Sequence, residues 1–320
     1  MLVFIKHKLT GGNIKMKVDL SINCETRESI NNVCGNLDKA QIVPLKIVDN
    51  GVTKDVTNYN GIYNISKGQF CGAVISYYNL VQHSDYFLGF ANALDNLNLK
   101  YKMKIAQVNN KAYADIEFIN KNIKFDKLNE EFTVGVRLIN SYDKSSGIKI
   151  MPMFKRLACA NGMVITRFEE TFSIKHISKL AKNIQAYVET RLKDVINQND
   201  YLRRWVEDSM NDSIEWRICC SIIEKIITQR KHREKILKEL GISIIDFEDK
   251  KTKKKSTQYI WDDDATKKDK FTRWEIYNAF TSYLTHDEQI TPHVETVYQS
   301  KAQRILTTKL ERLPRVEVKL

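Results

Sequence analysis

Residues 101–118 read YKMKIAQVNNKAYADIEF, and the two asparagines at its centre decide how the chain folds. The run YKMKI alternates strictly, and beyond the asparagines Ala112, Ala114, Ile116 and Phe118 alternate with Tyr113, Asp115 and Glu117. A period of two puts each set of side chains on its own face of an extended strand. Asparagine tolerates positive φ, so Asn109-Asn110 predicts a two-residue loop joining two antiparallel strands.

The reading extends outward in both directions. DYFLGFANALDNL (85–97) spaces its apolar residues as a helix, with Ser84 placed as the N-cap. FTVGVRLIN sets Phe132, Val134, Val136 and Leu138 on one face and Arg137 on the other, and GIKIMPMF and MVITRF predict further strands. Between them, NSYDKSSG (140–147) is a turn. Asn140, Ser141 and Asp143 bond to their own backbone, and Gly147 admits positive φ. Asn161 and Gly162 predict a second turn, of hairpin type.

Near His176 the period changes. ISKLAKNIQAYVETRLKDVI carries one apolar stripe, and SIEWRICCSIIEKIITQRKHREKILKEL predicts a second long helix ended by Gly241. DFEDKKTKKKSTQ (246–258) has no periodicity and reads as a solvated basic linker. TRWEIYNAFTSYLTH and PHVETVYQSKAQRILTTKL predict two closing helices, with Pro292 in the first turn of the last. The fold expected is α+β, an antiparallel β-sheet domain with packed helices followed by a mainly α-helical C-terminal half. Its segments are an N-terminal extension (1–39), the sheet domain (40–175), a helical region (176–245), the basic linker (246–270) and C-terminal helices (271–320).

The 320 residues are 42% apolar, enough for one large core or two smaller ones, and the formal net charge is +12 with a pI near 9.2. Such a balance favours an acidic partner, nucleic acid first. The six cysteines lack paired CxxC spacing, and Cys219 and Cys220 lie adjacent in an apolar helical run, which predicts packing in a reducing setting rather than ligation. No run of eighteen apolar residues is present and the first twenty residues are too weakly apolar for a signal peptide, so no membrane role and a cytoplasmic location are expected, with Met1 or Met16 as the natural start.

Sequence motifs exclude several chemistries. There is no GxSxG, no GxxxxGK[ST] and no GxGxxG, and His176, His232, His286, His293 and the triplet Asp262-Asp263-Asp264 show no metal-ligand spacing. No metal and no cofactor are expected, and surface or capping roles are preferred for the histidines. For nucleic acid the candidates are Arg203 and Arg204; Arg230, Lys231 and Arg233; and the run Lys250, Lys251, Lys253, Lys254 and Lys255. Tyr101 beside Lys102 and Lys104, and Phe271 beside Arg273 and Trp274, would add stacking. Arg137 and Arg156, on strands leading to the two turns, either hold an anion there or border two well-made turns.

The residues of these turns also carry a resemblance. NSYDKSSGIKI, FKRLACANGMVI and later TRWEIYNAFTSYLTH with SKAQRIL resemble, in that order, the phage/plasmid-like family catalogued as domain of unknown function 932. The likeness rests on Asn140, Ser141, Tyr142, Asp143, Ser145, Arg156, Cys159, Asn161 and Gly162, then Trp274, Asn278, Ala279, Phe280 and Thr281, and covers roughly residues 60 to 310. The position after Asp143 is lysine where that family usually has glycine. The resemblance implies carriage by a virus, phage or plasmid and no particular activity. The functional expectation is a nucleic-acid-binding protein, for single-stranded DNA in replication or recombination. Its alternatives are a nuclease using Asp143 with Asp262 to Asp264 around a divalent metal, or a non-enzymatic protein that binds a host protein. Self-association is a further expectation.

Overall fold

The computed structural model describes residues 20–125, 130–156, 162–164, 172–176, 188–189, 191–192, 199–248, 255–264, 267–286, 290 and 292–307. The hairpin at 101–118 forms as its alternation requires. β5 (Tyr101–Val108) pairs antiparallel with β6 (Lys111–Phe125) in the register Met103↔Ile116, Ile105↔Ala114 and Val108↔Lys111. Asn109 takes φ 54° and so supplies the left-handed residue of the two-residue loop.

This hairpin is the middle of a seven-stranded sheet. β1 (Leu20–Cys24) borders β5, and β7 (Glu130–Ser141), β8 (Ile148–Arg156) and β10 (Phe172–Ile174) follow β6 in order, with β9 (Gly162–Val164) also on β8. The helix α2 (His83–Asn96) buries Tyr86, Phe87, Phe90 and Leu94 completely, as the i, i+1, i+4, i+8 spacing predicts. Burial of each such side chain contributes about 1.5–3 kcal/mol. The Tyr86 hydroxyl donates to the Lys149 carbonyl of β8 at 2.8 Å. Gln82, not Ser84, is the N-cap residue, and Ser84 lies inside the first turn. α1 (Arg27–Gly35) opens on a capping box between Thr26 and Ser29, and Arg27 reaches Asp95 of α2 at 3.3 Å. Residues 1–39, expected as an extension, thus contain a strand of the main sheet. A separate three-stranded sheet runs β2 (Ala40–Asp49), β3 (Val52–Asn64) and β4 (Gln69–Ile75).

Two compact units divide the chain, and the ends of β6 and β7 (123–132) belong to the second, together with 155–167 and 197–320. There Phe125 meets Phe132 edge-on at 5.2 Å and Phe132 lies 6.0 Å from Trp274. The helices of this unit are α3 (Asn199–Asn211), α4 (Trp216–Ile226), α5 (Arg230–Glu239), α6 (Arg273–His286) and α7 (Pro292–Thr307), the last beginning at Pro292 as expected. Thr272 and Glu275 cap α6 reciprocally, with Thr272 N–H to Glu275 Oε2 at 2.8 Å and Glu275 N–H to Thr272 Oγ1 at 3.1 Å.

The expected α+β layout with a mainly α-helical C-terminal half is overturned. The chain is sheet-rich, 43% strand against 37% helix, and its helices are scattered among antiparallel sheets. β11 (Ser213–Glu215) pairs with β14 (Lys270–Thr272), and β12 (Ile242–Glu248) pairs with β13 (Lys255–Trp261) over seven positions from Ile242↔Trp261 to Glu248↔Lys255. The supposed linker 246–270 therefore carries strands. Its lysine run hides two segments rich in β-branched and aromatic residues, ISIIDFE and KSTQYIW, which suit a pleated surface.

The long helix expected over 213–240 is two helices, because Ile227 is extended at φ −108°, ψ 98°. Ile226, Ile227 and Thr228 form a β-branched run that weakens helix continuation, and Ile227 gains complete burial in exchange. Gly241 follows α5 at φ 73°, the left-handed position foreseen for it. The segment 177–196, expected as a helix, lies almost wholly outside the described residues.

Gly135 of β7 tests the closeness of the sheet. A Cβ there would sit 2.1 Å from the Ile116 carbonyl oxygen and 3.0 Å from Met153. Backbone cannot yield as a flexible side chain can, so Gly135→Ala is expected to lower the unfolding free energy by roughly 3 kcal/mol or more, or to abolish folding, read by urea denaturation.

Candidate functional site: a buried polar cluster behind the Asn-Ser-Tyr-Asp turn

The turn that joins β7 to β8 is built from its own side chains. Asp143 Oδ1 accepts the Ser145 N–H at 3.0 Å, while Ser141 Oγ accepts the Ser146 N–H at 3.1 Å and donates to the Ser146 carbonyl at 2.7 Å. Lys144 sits at φ 62°, a conformation that glycine adopts without cost, and its ammonium donates to the Ala73 carbonyl at 2.7 Å. The left-handed backbone accounts for the glycine usual at this place. Asp143 is half-buried, whereas Asn140, Ser141 and Tyr142 are fully buried.

Behind the turn a polar cluster closes around Tyr142. Its hydroxyl lies 3.0 Å from the His83 N–H, which donates to it, and 3.0 Å from both the Asp38 carbonyl and Gln82 Oε1, which can accept from it. The Tyr142 and His83 rings stack at 3.8 Å. Gln82 brackets Ala40, accepting its N–H at 3.1 Å and donating to its carbonyl at 2.7 Å. Asn64 donates to Asp38 at 2.9 Å and to Asn110 at 3.1 Å, and Lys67 pairs with Asp38 at 3.0 Å. Asn140 Nδ2 donates to the Val81 carbonyl at 2.9 Å and lies 3.0 Å from His83 Nδ1. His176, expected at the surface, is buried, stacked on Tyr78 at 4.9 Å, and bonded through Nδ1 to the Asn79 carbonyl at 3.2 Å.

Four atoms here are buried without a hydrogen-bond partner: His83 Nε2, Asn140 Oδ1, His176 Nε2 and Tyr78 Oη. Burial, with lesser contributions from His176 and Lys67, lowers the His83 pKa to about 3, and burial also lowers that of His176. Both imidazoles are neutral near pH 7. Only His176 and the turn were legible beforehand; His83 and Tyr78 carried no motif, and only their place flanking the predicted helix start marks them.

Three of the cations proposed for nucleic acid, Arg137, Arg230 and Arg233, are committed to the fold. Arg137 does leave the apolar face of β7 but is buried, with Nε and Nη2 at 2.6 and 2.7 Å from the two Asp115 oxygens, so it faces no phosphate. Arg230 lies 2.7 Å from Glu234 and 2.7 Å from Asp246, and Arg233 lies 2.7 Å from Glu224. Lys231 and Arg204 are exposed. The side chains of Arg156, Arg203 and Lys255 lie outside the described residues, as do Lys250, Lys251, Lys253, Lys254 and Asn161, while Gly162 opens β9. Of the aromatics expected to stack on bases, Phe271 and Trp274 are buried in the core, where Arg273 pairs with Asp212 at 2.8 Å, while Tyr101 is half-buried with its hydroxyl 3.2 Å from Asp95 Oδ1.

Burial raises the Cys219 thiol strongly and that of Cys220 to about 12, which keeps both protonated and inert. Among the described residues no three His, Cys, Asp or Glu side chains group as metal ligands, and Asp262 Oδ1 is taken by the Ser243 hydroxyl. No helix among the described residues is long and apolar enough to cross a membrane.

Two outcomes follow from this geometry. Arg137→Met strands Asp115, which keeps some solvent contact, and is expected to cost about 2–3 kcal/mol in urea denaturation while oligonucleotide affinity stays unchanged. The second concerns acid. The unfolded His83 titrates near 6.5 and the folded one near 3, so the unfolded chain binds more protons across that window and stability falls as pH falls. From pH 6.5 to pH 4 the loss from His83, faced by His176, Lys67 and Tyr142, is roughly 3 kcal/mol, measured as the urea midpoint at each pH.

No curated protein and no solved structure matches the chain. A family model does match, over residues 71–312, which spans β4 and α2, the Asn-Ser-Tyr-Asp turn, His83, His176 and the β12–β13 hairpin. That match covers most of the chain and includes the turn whose residues close the cluster, so the chain belongs to the family described as Domain of unknown function (DUF932).

Proposed function

We propose that the chain binds nucleic acid, single-stranded DNA first, through the lysine-rich segment that lies in the sequence between β12 and β13, in the replication or recombination of a virus, phage or plasmid. The observation that carries this reading is where the lysine run falls. Residues 249–254 connect the last register pair, Glu248↔Lys255, of a seven-pair antiparallel ribbon, and five lysines occur between 250 and 255. Five lysines so close in the sequence can follow a polyanion, and each lysine on a phosphate releases a counterion.

Two of the arginines that the sequence offered as phosphate contacts, Arg230 and Arg233, support the ribbon instead. Arg230 of α5 holds Asp246 of β12 at 2.7 Å, and Tyr259 of β13 donates to Glu224 of α4 at 3.0 Å, the carboxylate that Arg233 also grips. These partly exposed pairs are worth about 0–1 kcal/mol each, and their effect is to orient the hairpin rather than to stabilise the fold. They also neutralise Asp246 and Glu224, acidic groups near the ribbon that would otherwise repel phosphate.

The test is the dependence of log affinity on log salt for a labelled oligonucleotide, measured by fluorescence anisotropy. The variant with Lys250, Lys251, Lys253, Lys254 and Lys255 all changed to glutamine is expected to flatten the slope by about 3–4 and to weaken binding by a similar factor for every sequence. Identical slopes for the variant and the wild type would remove the lysine segment from the interface.

A further inference from the structure

We propose that the outward face of the three-stranded sheet β2–β3–β4 is a stacking platform for the bases of single-stranded nucleic acid. The surface lies wholly within the first unit; it rests on the reading that the chain binds nucleic acid, though not on the lysines of 250–255. Register separates the two faces of this sheet. Ala40 opposite Asn64, and Val74 opposite Asn60, share one face with Ile62, and Ala40, Ile62, Asn64 and Val74 are at most 5% exposed. On the other face Val43 stands opposite Gly61, Ile75 opposite Tyr59, and Phe70 opposite Tyr63. There Val43, Leu45, Tyr63, Phe70 and Ile75 are all partly exposed, and Tyr59 keeps 49% of its surface.

An antiparallel sheet with one face on the core ordinarily turns polar residues to solvent, so an apolar and aromatic outer face marks an interaction surface. Gly61 sits in its middle. A Cβ there would stand 2.9 Å from Phe70 Cε2 and 3.0 Å from both Leu45 Cδ2 and Val43 Cγ2, so these three side chains close over the glycine. They also show that Phe70 lies on the same face as Gly61, and alternation along β3 puts Tyr59 and Tyr63 there too. Cβ atoms of register partners such as Tyr63 and Phe70 are about 5 Å apart. Tyr59 follows on the same strand roughly 13 Å away.

Charge decides between the possible occupants. Residues 39–77 hold four lysines against two aspartates, and one of those aspartates, Asp55, already meets Lys46 at 3.3 Å. The exposed Lys144 brings a fifth ammonium to the Ala73 carbonyl of β4 at 2.7 Å. A second copy of the chain would set the same positive excess against this one and be repelled. A single-stranded nucleic acid complements both features, since each base has a π-face for a ring and each phosphate a charge for a lysine. A duplex does not, because its bases are already stacked on one another.

The test uses the full chain with a thymidine oligonucleotide, an abasic strand of equal length and a duplex, each read by fluorescence anisotropy. Tyr59→Ala is expected to weaken binding of the thymidine strand about tenfold and to leave abasic and duplex binding unaltered. The slope of log affinity on log salt stays the same, because stacking releases no counterion. Tyr59→Phe keeps the ring and binds as the wild type does. A strand carrying 5-iodouracil, irradiated on the wild-type chain, is expected to join to Tyr59, Tyr63 or Phe70, located by mass spectrometry, which decides the matter even where a variant fails to fold. Unchanged thymidine affinity in Tyr59→Ala, adducts confined to other residues, or a wild-type dimer that Tyr59→Ala dissociates in sedimentation equilibrium would each overturn the proposal. A flattened slope in the five-lysine variant with Tyr59→Ala inert removes this surface alone, whereas a wild-type chain that binds no oligonucleotide removes both readings.

Discussion

The hydroxyl of Tyr142 is the constraint on which the first unit turns. It meets the backbone at Asp38, the N-terminal N–H of α2 at His83, and the side chain of Gln82, so three segments separated by up to 104 residues close on one oxygen. The ring below it joins Ala40, Ile62 and Val74 in one apolar cluster, which draws the three-stranded sheet to the end of β7. Gln82 then behaves as a substitute strand, giving Ala40 both bonds that a neighbouring backbone would have given. Closing such long loops costs conformational entropy, and a site that satisfies several buried groups at once offsets it better than separate bonds could.

That closure explains the chemistry of the turn beside it. Asn140, Ser141 and Tyr142 are three consecutive buried polar side chains with separate roles. Asn140 fixes the His83 tautomer, Ser141 ties the turn to Ser146, and Tyr142 closes the long loops. Lys144 then has to take a left-handed backbone, which costs an ordinary residue about 1 kcal/mol, and it recovers part of that by binding the Ala73 carbonyl. A glycine at this position would relieve the strain and forgo the bond.

Charge is distributed by a similar logic in the second unit. Arginines were the natural candidates for phosphate, yet Arg230, Arg233 and Arg273 each end on a carboxylate. Arg230 lies 2.7 Å from both oxygens of Asp246 and 2.7 Å from Glu234, a multi-point grip that suits a planar guanidinium. Five lysines stand at 250–255 in the sequence, each a compact, strongly hydrated ammonium on a flexible four-carbon stem. Among the described residues both arginine and lysine enter ion pairs of the fold, as Arg230 with Asp246 and Lys67 with Asp38 show, while the lysines of 250–255 stand together in the sequence.

Local pattern was enough for the elements whose information is local. The strict alternation on both sides of Asn109-Asn110, the apolar spacing from Tyr86 to Leu94, the left-handed Gly241 and the Asx geometry of Asp143 all appear as their residues dictate, because period, positive φ and side-chain-to-backbone bonds act within a few residues. Tertiary structure decided the rest. It broke the helix at Ile227 to bury that side chain, and it paired ISIIDFE with KSTQYIW across a lysine run that masked them. Partners for Arg137, Arg230 and Arg233 likewise came from tertiary structure, as did the burial of His83 against Asn140 and of His176 against Tyr78. The direction an arginine faces, and whether a buried imidazole finds a partner, depend on residues tens of positions away, and one sequence carries no local trace of such pairings.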